Sequence, residues 1–239
     1  MNSRKLIATK KRGNGQELTS YSKSVQSEYE EFWNINGSVP SRYKYQLTVA
    51  HNPRFIWYRN AKVGTRSILN LLRELPIELT AEQAGGCRYA PELYKDYLKF
   101  AFVRNPWDRF VSGWLNKIVN RNAFDFSDQE RVRLMKFDQF VEFWSQKDVE
   151  SCNIHFRLQS RLIDLNEVDI IGRMESFNED VRKVFKELGL PLNNIPHGNK
   201  TNTRSHYSSY YSEKSKELVS EMYHKDILLF GYRFNEQPE

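Results

Sequence analysis

Long apolar runs are missing from this chain, and nothing approaches the about eighteen consecutive apolar residues that a membrane-crossing helix needs. Cysteine is almost absent. Cys87 and Cys152 are the only two, which excludes a disulfide framework and offers no zinc-site spacing. No cluster of His, Cys and carboxylates has ligand spacing either, so no metal is expected. The N-terminal stretch MNSRKLIATKKRGNG holds only Leu6, Ile7 and Ala8 as an apolar segment, too short for a secretory core. A soluble, cytoplasmic protein is the expectation from these absences. Internal repeats and low-complexity tracts are also lacking.

What is present is positive charge and aromatic surface. The formal net charge is +6 and the isoelectric point about 9.2, which fits an anionic partner without choosing among nucleotide, polysaccharide, nucleic acid and membrane. At 239 residues one domain can bury roughly three quarters of its unfolded surface. Residues 1–27, polar and basic, read as a flexible arm, and 28–239 as a single domain.

Two strand-to-helix units stand out. Arg54 to Tyr58, RFIWY, is short, aromatic and β-branched, as a buried strand is. Ile68, Leu69, Leu71, Leu72 and Leu75 then follow helical spacing up to Pro76. The apolar run Leu98 to Val103 is a second strand, and Asn105-Pro106 after it is an N-cap with proline at the first helical position. Trp107, Phe110, Val111, Trp114, Leu115 and Ile118 continue as an amphipathic helix. Residues 120–136 read as a surface excursion and Phe137 to Trp144 as a helix. Val168 to Met174 reads as a strand, Phe177 to Leu188 as a helix, 192–212 as a polar loop and Glu213 to Leu229 as a closing helix. Alternating strands and helices imply an α/β fold: one P-loop-like domain with a mainly parallel central sheet flanked by helices. In such sheets ligands bind at the carboxyl ends of the strands.

Both units carry anion chemistry at that end. In Asn60 to Ser67, NAKVGTRS, Gly64 allows close backbone approach, and the helix N-terminus directs free N–H groups and a positive dipole outward. Lys62, Thr65, Arg66 and Ser67 add donors. The lysine precedes the glycine and GxxxxGK[ST] is absent, so this is not a Walker A loop. In FVRNPWDRFVSGW, Arg104 leaves the strand end, and Ser112, just over two helical turns later, lies off the apolar stripe. The two side chains can converge on one anion.

In order, spacing and local structure the two units resemble the sulfotransferases, especially the carbohydrate, family-2-like Golgi branch. Further likeness lies in Asn153-Ile154-His155-Phe156-Arg157-Leu158-Gln159, similar to an H-aromatic-x-x-Q segment, in Ile171-Gly172-Arg173-Met174-Glu175, similar to a G-x-x-E strand, and in Tyr223 through Phe234 with Asp226 and Phe230-Gly231-Tyr232. The resemblance spans residues 54–234. It implies binding of 3′-phosphoadenosine-5′-phosphosulfate (PAPS, product PAP) and transfer of its sulfuryl group to a hydroxyl acceptor of carbohydrate type, with no nucleic-acid partner. Lys62 would meet the leaving oxygen. Gly64, Thr65, Arg66 and Ser67 would surround the 5′-phosphate, Arg104 and Ser112 would fix the 3′-phosphate, and Lys200 and Arg204 in a late polar loop would close over the nucleotide.

The acceptor's proton needs a base. His155 is the histidine candidate by motif. Residues 68–103 contain no histidine, and there Glu82 and Glu92 are the carboxylate alternatives. Trp33, Trp57, Tyr58, Tyr89, Tyr94 and Phe124 are candidate stacking faces for a sugar. Two other functions stay in view: an ATP-dependent kinase, which shares the architecture but needs the missing Walker A sequence, and a non-catalytic basic module for an anionic polymer, which explains charge but not the two ordered motifs.

Overall fold

The structure is a computed structural model that describes residues 40–192, 195 and 205–235, with backbone alone at 80–85 and 87. The basic arm, Trp33, Lys200 and Arg204 lie outside the described residues.

Strand β1 (Tyr45–His51) turns at Asn52-Pro53 into β2 (Arg54–Tyr58), which runs through the Lys62 loop into α1 (Thr65–Arg73). After β3 (Leu79–Cys87) and a 3₁₀ turn at Pro91–Tyr94, β4 (Leu98–Val103) leads into α2 (Pro106–Trp114), which continues as a π-helical turn, Leu115–Val119. Helices α3 (Asp128–Leu134) and α4 (Phe137–Ser145), strand β5 (Ile170–Arg173), and helices α5 (Phe177–Glu187), α6 (Glu213–Met222) and α7 (His224–Phe230) complete the order.

The sheet order is β3-β1-β2-β4-β5. β2, β4 and β5 pair in parallel, giving the α/β arrangement expected, with the candidate site at the ends of the parallel strands. β1 extends this core antiparallel to β2, and β3 antiparallel to β1. A two-residue connection cannot join parallel neighbours, so β1 and β2 must form a hairpin. The sequence reading did not include β1 or β3; β3 carries Gly85-Gly86, which dilutes any strand signal, and its register against β1 is irregular.

Side chains of the central strands alternate between two cores, one on each sheet face. Phe55, Trp57, Phe100 and Phe102 pack toward α1 and α5 with Leu69, Leu72, Val184 and Phe185. Ile56, Tyr58, Ala101 and Val103 pack on the other face with Phe110, Val111, Phe140, Phe156 and Tyr223. Trp57 lies stacked over Phe100 at 5.9 Å between centroids. Each fully buried side chain of this size contributes roughly 1.5–3 kcal/mol through removal from water.

Several expectations need correction. Trp57, Tyr58, Tyr89 and Tyr94 are at most 1% exposed; they are core residues and offer no face to a sugar. Phe124 is half-buried and packs on Trp144 and Phe156. The excursion at 120–136 contains α3, which Ser127 caps through Glu130 N and which buries only Leu134, so the apolar periodicity is too thin to read. The closing helix is two helices, because the chain leaves helical geometry at Tyr223 (φ −105°, ψ 18°), whose hydroxyl is drawn inward to donate to Phe156 O at 2.6 Å.

Candidate functional site

The Lys62 loop is built from its buried start. Asn60 is 1% exposed, and its Nδ2 donates to Phe102 O at 2.9 Å, tying the end of β2 to β4. The Thr65 hydroxyl donates to Asn60 O at 2.7 Å and closes the turn, so Thr65 braces the loop from within. Lys62 and Gly64 both have φ of 72°. For lysine this left-handed conformation costs on the order of 1–3 kcal/mol, which the surrounding structure has to hold. At Gly64 a side chain is excluded twice: by φ, and because a Cβ would lie 2.9 Å from both Met174 Sδ and Phe177 Cε2. No side chain caps α1, and its first turn holds no acidic residue. The first intrahelical bond is Ile68 N to Gly64 O at 3.1 Å, so the N–H groups of Thr65, Arg66 and Ser67 open toward the loop with the positive end of the dipole. Arg66 is exposed, while Lys62 and Ser67 are half-buried.

The Arg104 turn is held by its peptide groups. Arg104 N donates to Gln159 Oε1 at 2.9 Å and Gln159 Nε2 donates to Arg104 O at 2.8 Å. Gln159 is itself fixed by Asp226, which accepts from Gln159 N, Ser160 N and the Ser160 hydroxyl at 2.6, 3.0 and 2.6 Å. Burial pushes the Asp226 carboxyl up in pKa, and those hydrogen bonds with Ser160 and Gln159 pull against it. On the other side, Asn105 N donates to Glu175 Oε1 at 2.7 Å, and Tyr232 hydroxyl donates to Glu175 Oε2 at 3.0 Å. The Asn105 side chain caps α2 through Trp107 N and Asp108 N and donates to Arg233 O at 3.0 Å. Gln159, Glu175, Asp226 and Tyr232 therefore all work on the backbone around Arg104.

From this fixed turn the Arg104 guanidinium reaches in two directions. Nε and Nη2 donate to Asp108 Oδ2 at 2.8 and 2.7 Å, and Nη1 donates to Lys62 O at 3.2 Å. The two loops thus meet directly. Ser112 follows two turns along α2, half-buried.

His155 is half-buried beside them. Its Nδ1 pairs with Asn153 Oδ1 at 2.8 Å. An amide oxygen only accepts, so Nδ1 carries the proton and Nε2 keeps its lone pair. Burial pushes the imidazole pKa down to about 3, helped by the positive charges of Lys117, Lys62 and Arg109. Glu92, by contrast, is exposed on the 3₁₀ turn that feeds the start of β4. Glu82 is on β3, two strands away from β2. Of the three candidate bases, the structure brings His155 toward Lys62.

The native protein keeps His155 neutral down to about pH 3, whereas the unfolded chain takes a proton near 6.5. Stability is therefore unaffected by this group above about pH 6.5 and is lost progressively as pH falls toward 3. His155→Gln should remove that loss: relative to wild type, the variant gains stability between pH 7 and pH 4 in urea titrations. A constant difference across that range would refute the assignment.

Sequence reading missed Arg109. It lies opposite the apolar stripe of α2, where a cation is expected to face water, yet it is 1% exposed. Its Nε donates to Ala61 O at 3.0 Å, Nη1 to Arg157 O at 2.8 Å and Nη2 to Ile154 O at 3.0 Å. No local signal announces this, because the loops that cover that helix face come from distant sequence. Among the described residues no group of three or more His, Cys, Asp and Glu could hold a metal ion.

A profile described as the sulfotransferase family matches residues 81–233, more than half of the 239-residue chain. The match includes Arg104, Ser112, His155, Gln159, Glu175 and Asp226; the Lys62 loop precedes it. Carbohydrate sulfotransferase 12 of Xenopus laevis is 26% identical over 170 residues, covering 58% of this chain and 40% of that protein. Carbohydrate sulfotransferase 11 of Rattus norvegicus is 26% identical over 168 residues, 58% and 47% of the two chains. An uncharacterized protein of Archaeoglobus fulgidus is 33% identical over 105 residues, 44% of this chain and 78% of that one. The chain spans about half the length of the carbohydrate sulfotransferases it matches. No solved structure matches it. These relatives overturn the cytoplasmic expectation, since the carbohydrate sulfotransferases are Golgi membrane proteins. No described helix is long and apolar enough to cross a membrane, but that absence carries no information about compartment. The kinase and polymer-binding readings find no support in these comparisons. The chain belongs to the sulfotransferase family.

Proposed function

We propose that this protein transfers a sulfuryl group from PAPS to a hydroxyl group of a carbohydrate. Members of the sulfotransferase family use PAPS as sulfate donor. The observation that carries the reading here is the bond from Arg104 Nη1 to Lys62 O, which joins two anion-binding turns at the ends of adjacent parallel strands. The donor set fits a ligand with two anionic ends: an uncapped helix N-terminus with Lys62, Arg66 and Ser67 at one, Arg104 and Ser112 at the other. When bound, PAPS supplies a sulfuryl group already attached to a good leaving phosphate.

The chain's own residues then have electrostatic and positioning work. The Lys62 ammonium neutralises charge growing on the leaving oxygen. The N–H groups of Thr65, Arg66 and Ser67 hold the 5′-phosphate, and Gly64 keeps the turn in its left-handed form. Arg104 and Ser112 anchor the 3′-phosphate; Lys200 and Arg204, which the family resemblance assigns to the nucleotide, lie outside the described residues. His155, with Nδ1 held by Asn153, presents Nε2 to the acceptor hydroxyl and takes its proton. The anionic donor, once bound, offsets the surrounding cations and raises the basicity of that nitrogen. The carbohydrate acceptor rests on the names of the relatives.

The test is incubation with isotopically labelled PAPS and a panel of oligosaccharides, lipids and phenols, with the label located by mass. Labelled oligosaccharide is the expected product. Labelled phenol or lipid alone would reject the carbohydrate acceptor; tight ATP–magnesium binding with indifference to adenosine 3′,5′-bisphosphate would reject the donor.

A further inference from the structure

Arg109 touches the main chain immediately before each of the two residues proposed to do the chemistry. Ala61 O belongs to the peptide that enters Lys62, and Ile154 O to the peptide that enters His155; both accept from the same guanidinium, at 3.0 Å each. The third bond, to Arg157 O at 2.8 Å, grips the His155 segment from its other side. That segment is closed on itself, since Arg157 donates to Cys152 O through Nε at 2.9 Å and to Ser151 O through Nη2 at 2.8 Å. It also lies flat on α2, where a Cβ at Gly113 would stand 2.6 Å from Phe156 Cε1. One rigid platform carries His155, another turn carries Lys62, and a single buried guanidinium is bonded to both.

The geometry assigns Arg109 as a positioning residue that sets the separation between Lys62 and His155, an inference that rests on the catalytic roles proposed for those two. Only arginine suits the task. Its planar fork spreads donors over three acceptors on two segments, whereas a lysine ammonium is a single point at the end of a flexible stem. The role differs from that of Arg104, whose half-buried guanidinium is proposed to hold the 3′-phosphate.

Arg109→Lys keeps the charge and removes the fork. The variant should unfold cooperatively and bind adenosine 3′,5′-bisphosphate within about threefold of wild type, because Arg104 and Ser112 are untouched. Its kcat should fall about 100-fold, the loss expected from misplacing reacting groups by about 1 Å. In a His155→Gln background the same change should cost much less, since the two residues act as a unit. Hydrogen exchange read on peptides covering 59–64 and 153–157 should accelerate in both segments, whatever the turnover.

Retained kcat in an active protein, parallel loss of kcat and bisphosphate affinity, full additivity with His155→Gln, or failure of the variant to fold would each overturn the assignment. So would unchanged exchange in either segment. An inactive wild type whose Arg109→Lys variant still shows coupled exchange would instead reject the proposed reaction and keep the clamp.

Discussion

Lys62→Ala is expected to lower kcat by about 10²–10³, the range seen when one donor aimed at developing negative charge is removed, while adenosine 3′,5′-bisphosphate binds nearly as before. The split follows from which atoms of Lys62 do what. Its carbonyl oxygen, not its ammonium, receives Arg104 Nη1, so alanine preserves the contact between the two loops. The left-handed φ of 72° is as strained for alanine as for lysine, so the turn's conformational cost is unchanged. What disappears is the ammonium proposed to meet the leaving oxygen. The same ammonium helps hold His155 down at about 3, so its removal should also shift the acid limb of the kcat/KM profile to higher pH. Steady-state kinetics with isothermal titration of bisphosphate separates the two effects. Equal losses in kcat and affinity would make Lys62 a binding residue only.

Arg104→Ala should abolish most of the thermal stabilisation that bisphosphate gives. A ligand at 100 times its Kd stabilises the native state by about 2.7 kcal/mol, worth roughly 5–10 °C in a domain of this size. Hydrogen bonds to a charged group contribute about 1.5–3 kcal/mol each, so loss of a guanidinium that gives the 3′-phosphate two such bonds should weaken binding about 100-fold or more and leave at most about 0.4 kcal/mol of that stabilisation. The turn itself should survive. Gln159 holds the Arg104 peptide through both its N–H and its carbonyl, and neither bond involves the side chain. Asp108 loses its contact with the guanidinium, but at 21% side-chain exposure its carboxylate stays accessible to water. A melting curve that responds to bisphosphate as strongly as wild type would remove Arg104 from the donor site.

The elements around the donor half were legible because they are local. RFIWY and LKFAFV are apolar runs, each followed within a few residues by a glycine or an Asn-Pro that starts a helix, and β2, α1, β4 and α2 fall where those signals place them. The antiparallel additions β1 and β3, the helix α3 and the break at Tyr223 were not legible, since pairing partners and inward hydrogen bonds decide them. The aromatic residues show the same limit. Composition cannot distinguish a ring that lines a cleft from one that fills a core, and four of the proposed sugar-stacking faces are core.

The sequence by itself determined the α/β alternation, the two strand-to-helix turns and the residue types they present, because each depends on spacing within about a dozen residues. Only the tertiary structure decided how those turns are held. Gln159 and Asp226 grip Arg104 from one side and Glu175 and Tyr232 hold Asn105 from the other, and Arg109 reaches across to the Lys62 and His155 segments. These are hydrogen bonds between residues dozens of positions apart, and each exists because folding a parallel sheet brings separate strand ends together at one edge.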